Sequence, residues 1–150
     1  MIKVLTNNKN RTLAEIRRVF HNFGGKLGIS GSVKHLFKQL GVIKIAGDDL
    51  DELELLSIDL GAMDTQREND KLIIYSQSQD LNKIKQGLET KGAKIEDANF
   101  SFEPQNSLYI KEKTKAKKIL DFMNSIEDIE EVVDTWANFD IDNEILKEIK

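Results

Sequence analysis

The 150-residue chain has no cysteine, a single proline, a single tryptophan and two histidines. Without cysteine there can be no disulfide, no thiolate zinc site and no cysteine nucleophile. His21 and His35 are spaced in no metal-site pattern and have no carboxylate cluster beside them, so neither a metal nor another cofactor is expected. No apolar run approaches the ~20 residues a membrane-spanning helix requires, and no membrane partner is expected. Met1-Ile2-Lys3-Val4 opens with strand-like alternation rather than a signal peptide, and no transit-peptide pattern follows. The expected location is the cytoplasm, or the mitochondrion in a eukaryote. Also missing are the phosphate-cradling glycine-lysine loop, the Gly-x-Ser-x-Gly elbow and the His-Glu-x-x-His pair, so no enzymatic activity is expected. Asp48, Asp49, Asp51, Glu52 and Glu54 lack the glycine and oxygen spacing of a calcium loop. Acids at a helix start are explained by capping and the helix dipole, and Asp140 to Glu144 reads the same way.

Acidic residues are scarce in one place only. Residues 1–40 carry Lys3, Lys9, Arg11, Arg17, Arg18, Lys26, Lys34 and Lys38 against Glu15 alone, a net charge of +7 in a chain whose total is −4. The other 110 residues therefore carry −11, of which −7 falls in 42–104 and −4 in 105–150. A split this sharp marks a face suited to a polyanion.

Hydrophobic periodicity orders the elements. Ile2, Val4 and Thr6 alternate as a short strand, and Asn7 to Asn10 is turn chemistry. Thr12 and Glu15 have capping-box spacing, which puts Arg11 just before a helix whose apolar face is Leu13, Ile16, Val19, Phe20 and Phe23. Gly24-Gly25 ends that helix, and Ser32 to Phe37 reads as a strand after a glycine-rich loop. Residues 42–103 then spell βαββαβ: a strand at Val42 to Ala46, a helix through Leu50, Leu53, Leu56 and Leu60, a strand near Met63, a strand at Leu72 to Tyr75, a helix at Asp80 to Lys91 and an alternating stretch from Ala93 to Phe102. Past Pro104, a strand at Leu108 to Lys111, a helix through Ala116, Ile119, Leu120 and Met123, a strand at Glu131 to Ala137 and a last helix near Asp142 complete a second such unit. The expected fold class is α+β: two ferredoxin-like βαββαβ domains, one inserted into the central hairpin of the other. Residues 1–40 plus 105–150 form the outer discontinuous domain and 41–104 the insert. The linkers fall at Lys38–Gly41 and Glu103–Asn106.

Arg17, Arg18 and His21 lie off the apolar face of the first helix, with no acidic partner expected three or four residues away on the solvent side. Unpaired guanidinium groups suit phosphate, because the planar fork matches two oxygens and stays charged. Gly24, Gly25, Gly28 and Gly31, flanked by Lys26 and Lys34, could present backbone amides to a phosphate or could simply connect helix to strand. Gly25 to Gly28 matches the bare Gly-x-x-Gly of KH domains, but KH places that loop between two helices, and a strand is expected here. The candidate nucleic-acid-binding residues are Lys9, Arg11, Arg17, Arg18, Lys26 and Lys34.

Thr6 to Thr12, the helix carrying Glu15 and Arg17, Gly24-Gly25-x-Leu27-Gly28, Gly31-Ser32-Val33 through Phe37, and Val132 to Ile141 together resemble the YebC/PmpR family over essentially the whole chain. The resemblance implies two α+β domains, one inserted in the other, and a transcriptional regulatory protein or translational activator. It departs at Asn7, where members usually carry Asp, and it implies that the family's basic N-terminal helical domain is lacking here. The partner implied is DNA or RNA, ribosomal RNA included. The rival readings are a ribosome-associated translation factor and a small-molecule regulatory module; a metabolite sensor would have no need of the +7 segment.

Overall fold

A computed structural model of the chain describes residues 1–149. They divide into two compact units: Met1–Phe37 together with the chain from Pro104 onward, and Lys38–Glu103. The fold is mixed α+β throughout.

The second unit is built on strands β2 (Phe37–Ala46), β3 (Asp64–Glu68), β4 (Lys71–Gln77) and β5 (Lys94–Pro104), numbered after β1 (Ile2–Val4). They form one sheet in the order β3-β4-β2-β5, with β4 antiparallel to both β3 and β2. With the helices Leu50–Asp59 and Leu81–Thr90 in their places along the chain, this is the ferredoxin-like arrangement. Period-two alternation sends Ile43 and Ile45 of β2 and Leu72 and Ile74 of β4 to the same side, where Leu53, Leu81, Ile84 and Leu88 complete the core. Asp49 caps the first of these helices by accepting from the Glu52 amide at 3.0 Å. Asn69, at φ +54°, turns the β3–β4 hairpin within two residues, since Glu68 pairs directly with Lys71.

In the first unit, α1 (Lys9–Asn22) follows β1, and the two helices of the other unit are α2 and α3. After β6 (Leu108–Ile110) come α4 (Lys113–Glu127), β7 (Val132–Thr135), β8 (Phe139–Ile141) and α5 (Asn143–Ile149). β1 pairs antiparallel with β7, and β6 pairs parallel with β8. Ile16, Ile126 and Ile129 are buried together, with Val19, Phe20, Leu27 and Phe122 packed against them. A separate cluster of Ile110, Ala116 and Ile141 holds α4 to β6, β8 and α5. The chain leaves this unit and returns to it side by side, the Gln105 amide donating to the Leu36 carbonyl at 2.9 Å.

Four local expectations need correction. Ser32 to Phe37 is not a strand: turns lead into a short 3-10 segment at Lys34–Leu36, and every side chain from Ser32 to Leu36 is exposed. The alternation is present, but Gly31 at φ +82° and the Lys34 and Leu36 amides, which bond carbonyls three residues back, close the backbone into turns. Lys38–Gly41 is not a linker, because β2 runs through it unbroken; β5 likewise reaches Pro104. The cap of α1 is Asn8, whose side chain accepts from the Arg11 amide at 3.2 Å, and not Thr12. Thr12 lies fully buried inside the helix, donating to the Asn8 carbonyl at 3.1 Å with its hydroxyl 2.8 Å from that of Thr6, so Arg11 belongs to the first turn. Finally, β8 follows Trp136 where only a connection was expected; its signal is three residues long, too short for periodicity to register.

Gly41 provides a test of the packing. A Cβ built there would meet the Ser76 Oγ at 2.6 Å and the Leu81 Cβ at 2.9 Å. Gly41→Ala should therefore destabilise the β2–β4 unit by about 1–3 kcal/mol. Denaturant unfolding followed by amide exchange of Ile43 and Ile74 measures this; unchanged protection there would show that the neighbours relax without cost.

Candidate nucleic-acid interface

The side of α1 that packs inward is settled by Thr12, Ile16, Val19 and Phe20, and the other side is settled by exclusion. Arg17, Arg18 and His21 are all exposed. Lys9 opens the helix, Lys26 follows it in the glycine-rich loop and Lys34 starts the 3-10 segment; these three are exposed as well. Fourteen residues of α-helix span about 21 Å, so Lys9 and Lys26 lie at opposite ends of α1 and the candidates do not form one pocket.

The six candidate cations differ in their surroundings. Arg11 is engaged: its Nη2 lies 2.5 Å from Oε1 of Glu131, whose side chain is only 15% exposed. That hydrogen bond, helped by the backbone amide of Glu131, holds the Glu131 carboxyl below its ordinary range. Arg18 has Glu15 one turn back, at 3.8 Å, which corrects the expectation of no acidic neighbour. A contact at that distance between exposed chains leaves the guanidinium largely free. Lys9, Arg17, Lys26 and Lys34 have no ion-pair partner among the described residues. Elsewhere pairing is mixed: Lys38, Lys83, Lys91 and Lys94 have no ion-pair partner among the described residues, whereas others do. In the β2–β5 unit, Arg67 is held by Asp51 and Glu54, Lys71 lies 2.7 Å from Glu96, and Lys44 lies 3.6 Å from Glu68. The Thr65 hydroxyl, followed by Arg67, keeps the Glu54 carboxyl below its ordinary range.

The glycine loop offers less than its composition suggests. Gly24, at φ +75°, donates its amide to the His21 carbonyl, and Gly25 donates to the Phe20 carbonyl at 2.7 Å. Both amides therefore close the helix and are not available to a phosphate. Whole-segment charge counting also missed the start of α4. Lys111, Lys113, Lys115, Lys117 and Lys118 face only Glu112 within eight residues, inside a segment that is net acidic. An eight-residue charge window would have found them. Among the described residues, no group of three or more His, Asp or Glu side chains is arranged to hold a metal ion, and no helix is long and apolar enough to cross a membrane.

The Arg11–Glu131 pair has a measurable pH consequence. A carboxylate whose folded pKa lies below its unfolded value stabilises the fold at pH above the ordinary carboxylate range, and that contribution fades as pH falls through the folded value. Arg11→Met should move the Glu131 titration upward toward an ordinary carboxylate and flatten the acid limb of the stability profile. Carboxyl-resolved NMR titration is the check; a Glu131 titration unchanged in the variant would rule Arg11 out as the cause.

Comparison with known proteins agrees with this architecture. Residues 1–139 match the family model described as the TACO1/YebC second and third domain. A probable transcriptional regulatory protein of Thermotoga maritima is 39% identical over 99% of this chain and 59% of its own length. One from Aquifex aeolicus is 36% identical over 99% of this chain and 61% of its own. The crystal structure of a conserved hypothetical protein from Aquifex aeolicus superposes with a TM-score of 0.80 at 36% identity, covering 97% of this chain and 61% of the other. The chain thus spans about three fifths of the length of these relatives.

Proposed function

The chain belongs to the TACO1/YebC family, and from that premise we propose that it is a regulatory protein that acts by binding nucleic acid, not by catalysis. Phosphates meet Lys9, Arg11, Arg17, Arg18, Lys26 and Lys34 along α1 and the turns that follow it. Residues 1–40 with 105–150 act as the domain presenting this face, and 41–104 as its insert. Relatives named probable transcriptional regulatory proteins support the regulatory role. The observation that carries the binding reading is that Lys9, Arg17, Lys26 and Lys34 are exposed with no ion-pair partner among the described residues, in a segment of forty residues whose one acidic side chain is Glu15. Exposed and unpaired cations attract a polyanion and release its counterions on contact. Such contacts position a duplex without reading its bases.

The double variant Arg17→Glu, Arg18→Glu tests this. Both residues are exposed, so stability should change by no more than about 0.5 kcal/mol. Binding to duplex nucleic acid should weaken uniformly across sequences, from a wild-type affinity on the order of micromolar. If these cations engage three or four phosphates, they contribute a slope of roughly −3 to log K against log salt. Binding that ignores both salt and the variant would defeat the proposal. Cosedimentation with ribosomes in place of duplex retention would favour a translation factor.

A further inference from the structure

The lysines at the start of α4 stand outside the six candidate residues, yet the chain that carries Lys26 runs toward them. Two contacts give the relative direction of α1 and α4. Arg11, in the first turn of α1, pairs with Glu131, just past the end of α4. At the other end, Phe20 and Phe23 meet Phe122 edge-on, with ring centroids 4.9 and 5.6 Å apart. The helices therefore run antiparallel: the end of α1 lies level with Phe122 in the second half of α4, and the chain just past α1, which carries Lys26, runs toward the first half. Residues three, four and seven apart share a helix face. Lys118 and Lys115 precede Phe122 by four and seven residues, so they continue the stripe of α4 that borders α1. Both are exposed, as is Lys117. Ala116, between them, is fully buried and fixes the helix rotation. Leu27, next to Lys26, packs into the same cluster as Phe122, so this stretch of chain runs beside the α1–α4 contact.

The surroundings of these lysines are mixed but favourable. Lys118 has no ion partner among the described residues. Lys115 touches Glu112 at 2.8 Å, with both side chains more than 60% exposed, a pairing that contributes little. Asp121 is exposed one turn beyond Lys117 and Lys118 and makes no ion pair with either among the described residues. Neither helix exposes an aromatic ring: Phe20 and Phe122 are half-buried. Single-strand binding relies on stacking bases against exposed aromatic side chains, so this layer is suited to the backbone of a duplex.

We propose that Lys115 and Lys118 of α4 form a second row of phosphate contacts, joined through Lys26 to Arg17 and Arg18, and that duplex DNA lies across the exposed side of α1 and the start of α4 that extends past the end of α1. This rests on the nucleic-acid reading above and extends its contact surface to a second helix.

The test compares full-length wild type with Lys115→Gln, Lys118→Gln and with Arg17→Glu, Arg18→Glu on one DNA duplex over a salt series. Glutamine has nearly the helix propensity of lysine, so the fold is retained; circular dichroism verifies it. Two further contacts bring the wild-type slope to about −5, and the glutamine variant returns it to about −3, roughly 0.9 for each phosphate lost. Lys91→Gln, Lys94→Gln, exposed on the other unit, removes the same charge and should leave binding unchanged. Wild-type-like binding by the α4 variant beside a weakened α1 variant overturns this proposal and leaves the earlier reading standing. Absence of any duplex binding by wild type at low salt overturns both. Equal weakening by the Lys91, Lys94 control shows that net charge alone is at work and overturns the second row. Retention on duplex RNA but not duplex DNA overturns the choice of partner.

Discussion

The packing of α1 against α4 is the constraint on which the rest of the outer unit depends. Ile16 and Ile126 are almost fully buried, at 2% and 1% exposure, and Phe20 and Phe122 close edge-to-face beside them. Burying a side chain of this size stabilises by about 1.5–3 kcal/mol, and an aromatic pair in this geometry adds about 0.5–1.5 kcal/mol. Once that face is committed, helix periodicity leaves Arg17, Arg18 and His21 no direction but outward. The same contact draws in Leu27 and so holds Lys26 near the junction. The pair of β1 with β7 brings Glu131 to the start of α1, where it meets Arg11.

The charge split is compositional, and ion pairing in the fold is mixed in both units. In the ferredoxin-like unit, strand pairing sets Lys44, Lys71 and Arg67 beside carboxylates on neighbouring elements. Such pairs add little to stability at the surface, but they cancel the local field. On α1 only Glu15 is acidic, at 3.8 Å from Arg18, and Glu131 accounts for Arg11. Lys9 and Arg17 have no ion-pair partner among the described residues.

Legibility followed length and periodicity. The helices at Leu13 to Phe23, Leu81 to Leu88 and Ala116 to Met123 carry long apolar stripes, and each is present in the fold. The ferredoxin-like order of 42–103 was readable because each strand alternates and each turn has its own chemistry, as at Asn69. Ser32 to Phe37 misled because alternation is necessary for a strand but not sufficient. A strand needs a neighbouring backbone, and turn hydrogen bonds took that role first. Thr12 misled because its hydroxyl is taken up by Thr6 and the Asn8 carbonyl, while Asn8, four residues earlier, accepts from the Arg11 amide and caps the helix. Of the candidate cations, exposure followed from the helix period, but the partner of Arg11 did not: Glu131 lies 120 residues away in sequence.

What the amino-acid sequence determined by itself is therefore local and additive: the absence of thiol chemistry, the charge split, the helical faces, the order of elements and the motifs that resemble a family. What only the tertiary structure decided is which of those features meet. Antiparallel packing of two helices more than ninety residues apart sets Phe20 and Phe23 against Phe122, and strand pairing sets Glu131 against Arg11. The physical reason is that charge and periodicity belong to residues and short windows. Pairing and neutralisation depend on distances across the fold, and those are set by which apolar faces bury each other.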